Sequence, residues 1–326
     1  MAPLLTATPS AYSPYPYAFP PLFDRVAREA SLDGGLRLLR LSVEDRVQYL
    51  DGRKVRQVQR RPRWRDDFRF PGQSVALRFC PGPGAADVDG CAADGSATVR
   101  FALASSPTSA RNESAGLDAT LVELLLDTRA RDSAASLAAQ EPGTPLEVSQ
   151  VLGRGFSSVL SLGADLATAL EEQRPLLLLG ASPGGVAALR SALSWTPLLA
   201  HAAQHPVVAV VLAPSPTAAP FVVEWEEWRQ AGVKLHSVFE AGGEGGARAV
   251  LSPSDGQARL APELGALLGS GPAGLRALLG PRAREACVLL SGIPPEQGAE
   301  LAKRLAEAGV HGRSILVADA GAVGLD

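Results

Sequence analysis

Three groups of residues in this 326-residue chain have types and spacings that can do chemistry. The first is a basic strip. Arg53, Lys54, Arg56, Arg60, Arg61, Arg63 and Arg65 follow one another with no acid among them. Clustered positive charge raises the encounter rate with an acidic partner and contacts phosphates, and Trp64 inside the strip offers a ring for stacking. The second is Ser182-Pro183-Gly184-Gly185, within a glycine-containing turn at 180–185 between an apolar run at 175–179 and a helical pattern at 186–193. Glycines at such a turn permit close backbone approach to a ligand. The third group is the cysteines and histidines, and it points away from metal. Cys80, Cys91 and Cys287 are too few for a disulfide scaffold and match no zinc spacing. His201 and His205 stand four apart without the glutamate of a zinc-protease helix, and they read as a helix end before Pro206.

Hydrophobic residues make up 46% of the chain, charged residues 20%, and the formal net charge is −3. Without the seven charges of the strip that value falls by seven, so an acidic body carries one local basic feature. This composition fits a folded globular chain and not a polycation built for nucleic acid. No apolar run approaches the roughly 20 residues of a membrane span, so no transmembrane segment is expected. Residues 1–23 hold no charged side chain, six prolines, and Tyr12, Tyr15 and Tyr17. A secretory signal would need a basic start and an apolar run. An extended, proline-stiffened arm is the preferred reading over part of an organellar transit peptide.

Two halves must position these groups. Between 36 and 148, short alternating runs at 36–43, 74–79, 98–105, 121–128 and 145–148 are separated by turn residues, which predicts a small antiparallel barrel or sandwich. The basic strip falls between the first two of these strands. From 162 onward, strands at 175–179 and 207–212, both continuously apolar, and at 233–239, 286–290 and 314–317 alternate with helices at 166–173, 186–193, 221–231 and 296–308. That pattern predicts a doubly wound parallel sheet covered on both faces. Phe221, Trp225 and Trp228 share one face of the 221–231 helix and are expected to pack it onto the sheet. The fold class is therefore an N-terminal antiparallel β-barrel followed by an α/β doubly wound domain. The expected division is an arm over 1–34, a barrel over 35–160 with a basic insertion at 51–67, and an α/β domain over 161–326.

A barrel followed by a doubly wound domain resembles the ferredoxin–NADP reductase superfamily, in particular its plant and algal reductase-like group that includes a kiwi fruit protein. The stretches that carry the resemblance are 70–75 (Phe70-Pro71-Gly72-Gln73-Ser74-Val75), 101–107, 148–156, 231–234 and 288–292. They occur in order over about 36–317, and 148–156, ending Leu152-Gly153-Arg154-Gly155-Phe156, is the most telling.

The resemblance implies FAD held by the barrel and NADPH or NADH held by the α/β domain. Phe101 takes the place of the aromatic ring against the flavin and Ala102 that of a serine. Arg100, Leu103 and Ser105 lie on the same segment. Ser133, Ala134 and Ala135 open a helix that would receive the flavin phosphates. Ser182, Gly184 and Gly185 stand in the nucleotide loop, and Ser291 replaces a cysteine beside the hydride-transfer locus, as the candidate catalytic residue. Several positions depart from the family pattern. Ala102 offers no hydroxyl, Pro183 offers no N–H, and Ala213-Pro214-Ser215-Pro216 replaces a loop that would carry arginine.

Two functions follow as expectations. One is a flavoprotein oxidoreductase moving electrons between a pyridine nucleotide and a carrier or small acceptor, with the basic strip steering an acidic electron carrier. The other is a catalytically degenerate scaffold that docks into a larger plastid complex through 1–23 and 53–65. A plastid, stroma-side location is implied by the resemblance. Binding of RNA by the strip is the disfavoured reading, behind a solvated hairpin insertion.

Overall fold

The computed structural model describes residues 17–19, 28–44, 46–51, 54–59, 63–79, 97–113, 119–129, 133–140, 144, 146–157, 165–239 and 271–318. The expected features on Arg53, Arg60, Arg61, Cys80, Cys91 and residues 1–16 lie outside the described residues.

The first half forms an antiparallel sheet that closes on itself. Its strands are β1 (Tyr17–Phe19), β2 (Arg28–Glu29), β3 (Leu36–Glu44), β6 (Ser74–Phe79), β7 (Ala97–Ala102), β8 (Ala119–Asp127) and β9 (Leu146–Val148). Neighbours run β2-β3-β1-β9-β6-β7, and β8 pairs with the other edge of β3. A bridge between Leu103 and Leu124 joins the end of β7 to β8 and completes the ring. Residues 17–19, from the segment expected to be an arm, thus form a strand between β3 and β9. The basic strip enters a separate two-stranded hairpin, β4 (Arg46–Asp51) with β5 (Lys54–Gln59), whose backbone carries Lys54 and Arg56.

Alternation along the barrel strands sorts side chains between two cores. Val75, Leu77, Phe101, Leu103, Val122, Leu124 and Leu126 fill the barrel interior. Leu36, Leu38, Ala102, Ala104 and Leu125, on the outer face, belong to a different cluster that includes the helices and one face of the second sheet.

That second sheet is parallel throughout, with β10 (Leu176–Gly180), β11 (Val207–Ala213), β12 (Val233–Phe239), β13 (Cys287–Ser291) and β14 (Ile315–Ala318) in the order β12-β11-β10-β13-β14. Leu176, Leu178, Val207, Ala209, Cys287 and Leu289 face the barrel side, while Leu177, Leu179, Val208, Val210, Val288 and Leu290 face the opposite core. A strand buried on both faces needs no polar alternation, hence the continuous apolar runs. The covering helices include α4 (Leu166–Glu171), α5 (Ser182–Leu193), α6 (Thr196–Ala202), α7 (Trp225–Gln230), α8 (Pro272–Leu279) and α9 (Pro295–Glu307). Asp165 caps α4 by accepting the Thr168 N–H at 2.7 Å. Among the described residues the barrel also carries the short helices α1 (Trp64–Asp67), α2 (Pro107–Glu113) and α3 (Ser133–Ala138).

Two expected helices differ from the structure. Most of the turn expected at 180–185 is instead the first turn of α5, which starts at Ser182 with Pro183 near its beginning, while Gly180 ends β10. Proline is tolerated in a first helical turn because N–H groups there have no helical partner anyway. Phe221 lies outside α7, in the left-handed region at φ 58°, before a short 3-10 turn. Trp225 and Trp228 are buried as expected, and Trp225 Nε1 donates to the Pro220 carbonyl.

Candidate functional site

The place to look for ligand chemistry in a doubly wound sheet is the carboxyl edge where strand order reverses. Here that switch point lies between β10 and β13. Its two loops are in backbone contact. A Cβ added at Gly185 would stand 2.4 Å from the Ser291 carbonyl oxygen, and one at Gly292 would stand 1.8 Å from the Ala181 oxygen. The Ala181 N–H donates to the Ser291 carbonyl across the same gap. Glycine at 185 therefore serves close packing of loop on loop. Ser291 is 1% exposed, and its Oγ has no hydrogen-bond partner among the described residues. Gly184 faces open space, and Ser182 is exposed with φ 60°.

Gly180-Ala181-Ser182-Pro183-Gly184 also has the spacing of a nucleophile elbow, a pattern the sequence reading passed over. The strained serine and strand–turn–helix context are present. Pro183 removes the oxyanion N–H, and no histidine lines the adjoining cavity. Among the residues lining that cavity there is thus neither a histidine base nor, at Pro183, an oxyanion N–H for acyl transfer.

That cavity, about 140 Å³, sits at the ends of β10 and β11 and is lined from both halves, by Leu36, Asp127 and Arg129 of the barrel and Ser182, Pro183 and Ala213 of the α/β domain. Its volume is below the roughly 300 Å³ at which cofactor pockets begin. Arg129 is held bidentately by Asp127 at 2.8 and 2.9 Å, with Asp33 3.5 Å away. Burial pushes the Asp33 carboxyl up, but hydrogen bonds from Ser31 and the Gly35 N–H, with Arg129 nearby, hold it below the usual range. The loop after β11 has no basic side chain; Ser215 Oγ accepts the Ala218 N–H instead.

On the barrel, strand β7 has the opposite register to that expected. Phe101 points into the barrel core and Leu103 is fully buried there. The outward face carries Arg100, Ala102 and Ala104, one residue out of phase. Ala102 and Ala104 are 3% and 0% exposed and pack in the same cluster as Val186 and Ala187 of α5. Arg100 Nε donates to Ser74 Oγ. Ser105 is committed as well: its Oγ accepts the Glu123 N–H, and its carbonyl accepts Ser191 Oγ at 2.6 Å. Ser133, Ala134 and Ala135 open α3, as expected, and only their backbone is described.

Trp64, expected on a partner surface, is fully buried in the barrel core, where Nε1 donates to the Ser149 carbonyl at 2.9 Å. It anchors the end of the basic strip. Arg63 and Arg65 beside it are partly exposed.

The residue that sequence reasoning missed is Arg190. Its signal was a lone arginine in a helix otherwise made of small and apolar residues. It is 7% exposed at the meeting of the two domains. Nη1 donates to Glu123 of β8 at 2.8 Å and to the Ala104 carbonyl at 3.1 Å. Nε and Nη2 donate to Glu224 at 2.7 and 2.9 Å. The guanidinium also lies 4.9 Å from the Phe221 ring centre. Burial pulls its pKa down, but the two glutamates more than offset this and raise it.

No protein-family model matches the chain, and no curated protein matches it in sequence. Solved structures do. The flavohem-like FAD/NAD-binding domain of a nitric oxide dioxygenase from Vibrio cholerae is 16% identical with a TM-score of 0.54, covering 93% of this chain and 98% of its own. A ferredoxin–NADP+ reductase from Neisseria gonorrhoeae, solved with FAD and NADP, is 13% identical with a TM-score of 0.50, covering 94% and 98%. The ferredoxin–NADP+ reductase from Plasmodium falciparum, solved with 2'P-AMP, is 7% identical with a TM-score of 0.52, covering 93% and 95%. The chain has the two-domain fold of the ferredoxin–NADP+ reductase superfamily.

The described residues do not fit the cofactors named for those structures. A flavin ring against β7 would need the space that Ala102, Ala104 and α5 share. A nucleotide pyrophosphate at β10 would meet Pro183 and a switch point closed by Gly185 and Gly292. Among the described residues there is also no group of histidine, cysteine, aspartate and glutamate able to hold a metal, and no helix long and apolar enough to cross a membrane.

Proposed function

We propose that this chain uses the reductase fold as a docking scaffold, without hydride transfer of its own. The observation that carries this reading is the apolar cluster shared by Ala102 and Ala104 of the barrel and Val186 and Ala187 of α5. A scaffold needs its two domains fixed, and a continuous core does that, whereas a reductase needs a cleft at the same place. The docking element is the β4–β5 hairpin with its basic strip, built as a sheet separate from the barrel. Its charge suits an acidic protein surface, and the plastid complex implied by the sequence resemblance to the plant and algal group is the proposed setting.

A second reading, the flavoprotein oxidoreductase, has one observation in its favour: the small cavity at the ends of β10 and β11 draws its lining from both domains. In that reading FAD and NADPH or NADH carry electrons to a carrier or small acceptor, the chemistry belonging to the cofactors.

A ferricyanide-reduction assay separates the two. Purified protein supplied with FAD and either NADPH or NADH is expected to give no more turnover than free flavin alone. Enzymatic turnover that saturates with nucleotide contradicts the scaffold reading and establishes the second.

A further inference from the structure

Arg190 belongs to a longer series of charges. Glu113 of α2 pairs with Arg40 of β3, and Arg40 Nε stands 4.0 Å from Glu123. Glu123 meets Arg190, and Arg190 meets Glu224. Signs alternate along the whole series, from the outer side of the barrel to the loop before α7. The inner members are covered: the side chains of Glu123, Arg190 and Glu224 are 15%, 9% and 16% exposed. Two further polar ties between the domains lie beside it, the Phe221 N–H to the Ala30 carbonyl at 2.7 Å and the Asp33 N–H to the Thr217 carbonyl at 3.0 Å.

We infer that Arg190, gripping Glu123 of the barrel and Glu224 of the α/β domain, is a clamp that holds the domain junction shut. The inference rests on the closed junction described above and adds the device that keeps it closed. A buried ion cluster suits this role. Apolar contact between domains is non-directional and tolerates sliding, whereas a guanidinium with donors committed to two carboxylates and a carbonyl is satisfied in one relative placement. Taking Arg190 away leaves two carboxylates covered by protein without their shared cation, and opening the junction is how they regain water. The clamp therefore acts on the opening equilibrium. Other contacts within each domain are independent of it.

Amide hydrogen exchange of the full chain tests this without any cofactor. Arg190→Met keeps much of the side chain's volume and removes its charge. The amides of Asp33 and Phe221, whose acceptors lie in the other domain, are expected to exchange on the order of 100-fold faster. Those of β10 and β11 at Leu178 and Val210 are expected to stay within about twofold of the parent. Equal acceleration everywhere identifies ordinary destabilisation and overturns the clamp, as does no acceleration at Asp33 and Phe221. Should Arg190→Met fail to fold, Glu123→Gln, which weakens the pair across the junction and leaves Arg190 its bonds to Glu224, carries the same local prediction at about tenfold. Flavin uptake by the parent protein would contradict the closed junction and the scaffold reading with it, whereas unchanged exchange at Asp33 and Phe221 in a protein that takes up no flavin overturns the clamp alone, so the two failures are distinguishable.

Discussion

The central strands β10, β11 and β13 of the parallel sheet are buried along their whole length, and so is the end of β7 at Phe101 and Ala102, yet the two respond differently to a shift of one residue. In β10, Leu177 and Leu178 face different cores, and either side is apolar. Exchanging the faces changes little in residue type. In β7, Phe101 and Ala102 also face different cores, but one is the barrel interior and the other is the domain junction. There a single residue decides whether a bulky ring or a methyl meets α5. The junction closes because the smaller residue is the one that faces it. Burial on two sides protects a strand from errors of register; burial between two domains makes register the determinant of function.

Several substitutions break or sharpen this contrast. Leu178→Ala in the sheet has the largest expected effect, a loss of about 4 kcal/mol in chemical denaturation, because the packed surroundings cannot collapse into the gap. Next comes a pair in β7. Ala102→Tyr forces a ring into the junction and is expected to cost about 3 kcal/mol. Phe101→Tyr buries a hydroxyl in the barrel core and is expected to cost about 2 kcal/mol. If Phe101 faced a cleft, its hydroxyl would reach water and the second change would be nearly neutral. Ser182→Gly is smaller and opposite in sign. It relieves a non-glycine residue at φ 60° and should stabilise by about 1 kcal/mol, read as a raised denaturation midpoint.

The mildest prediction concerns pH and the far end of the α/β domain. Burial lowers the pKa of His201, which its bond to the Arg174 carbonyl opposes and His205 reinforces. A histidine whose folded pKa lies below its unfolded value contributes stability in full above about pH 6.5, and this is lost as pH falls toward the folded value. The denaturation midpoint should therefore drop between pH 7.5 and 5.5, and His201→Gln should reduce that drop. An unchanged drop in the variant assigns the pH effect to other groups.

Much of the architecture was readable because its signals are local. Strands at 74–79 and 233–239 match the structure at both ends, since turn residues (Pro71-Gly72 and Gly232) precede each of them. The start of α5 was not readable, because glycines that suggest a ligand-binding turn also suit a helix pressed against Ser291 and Gly292. Trp64 looked like a surface ring for want of any sign of its bond to Ser149, 85 residues away. Arg190 shows in the sequence only as a lone arginine in an apolar helix, and its role is hidden for the same reason. Its partners Glu123 and Glu224 lie 67 and 34 residues from it, and only the folded chain brings them together.

The closed junction is the central claim, and a flavin titration of the purified protein tests it most directly. FAD fluorescence is followed as protein is added, with the absorbance of the re-isolated protein recorded in the flavin bands. A shut junction predicts no saturable change and a colourless protein. Stoichiometric uptake with flavin bands retained after gel filtration would contradict it, because a ring held at that face requires Ala102 and Ala104 to be parted from α5.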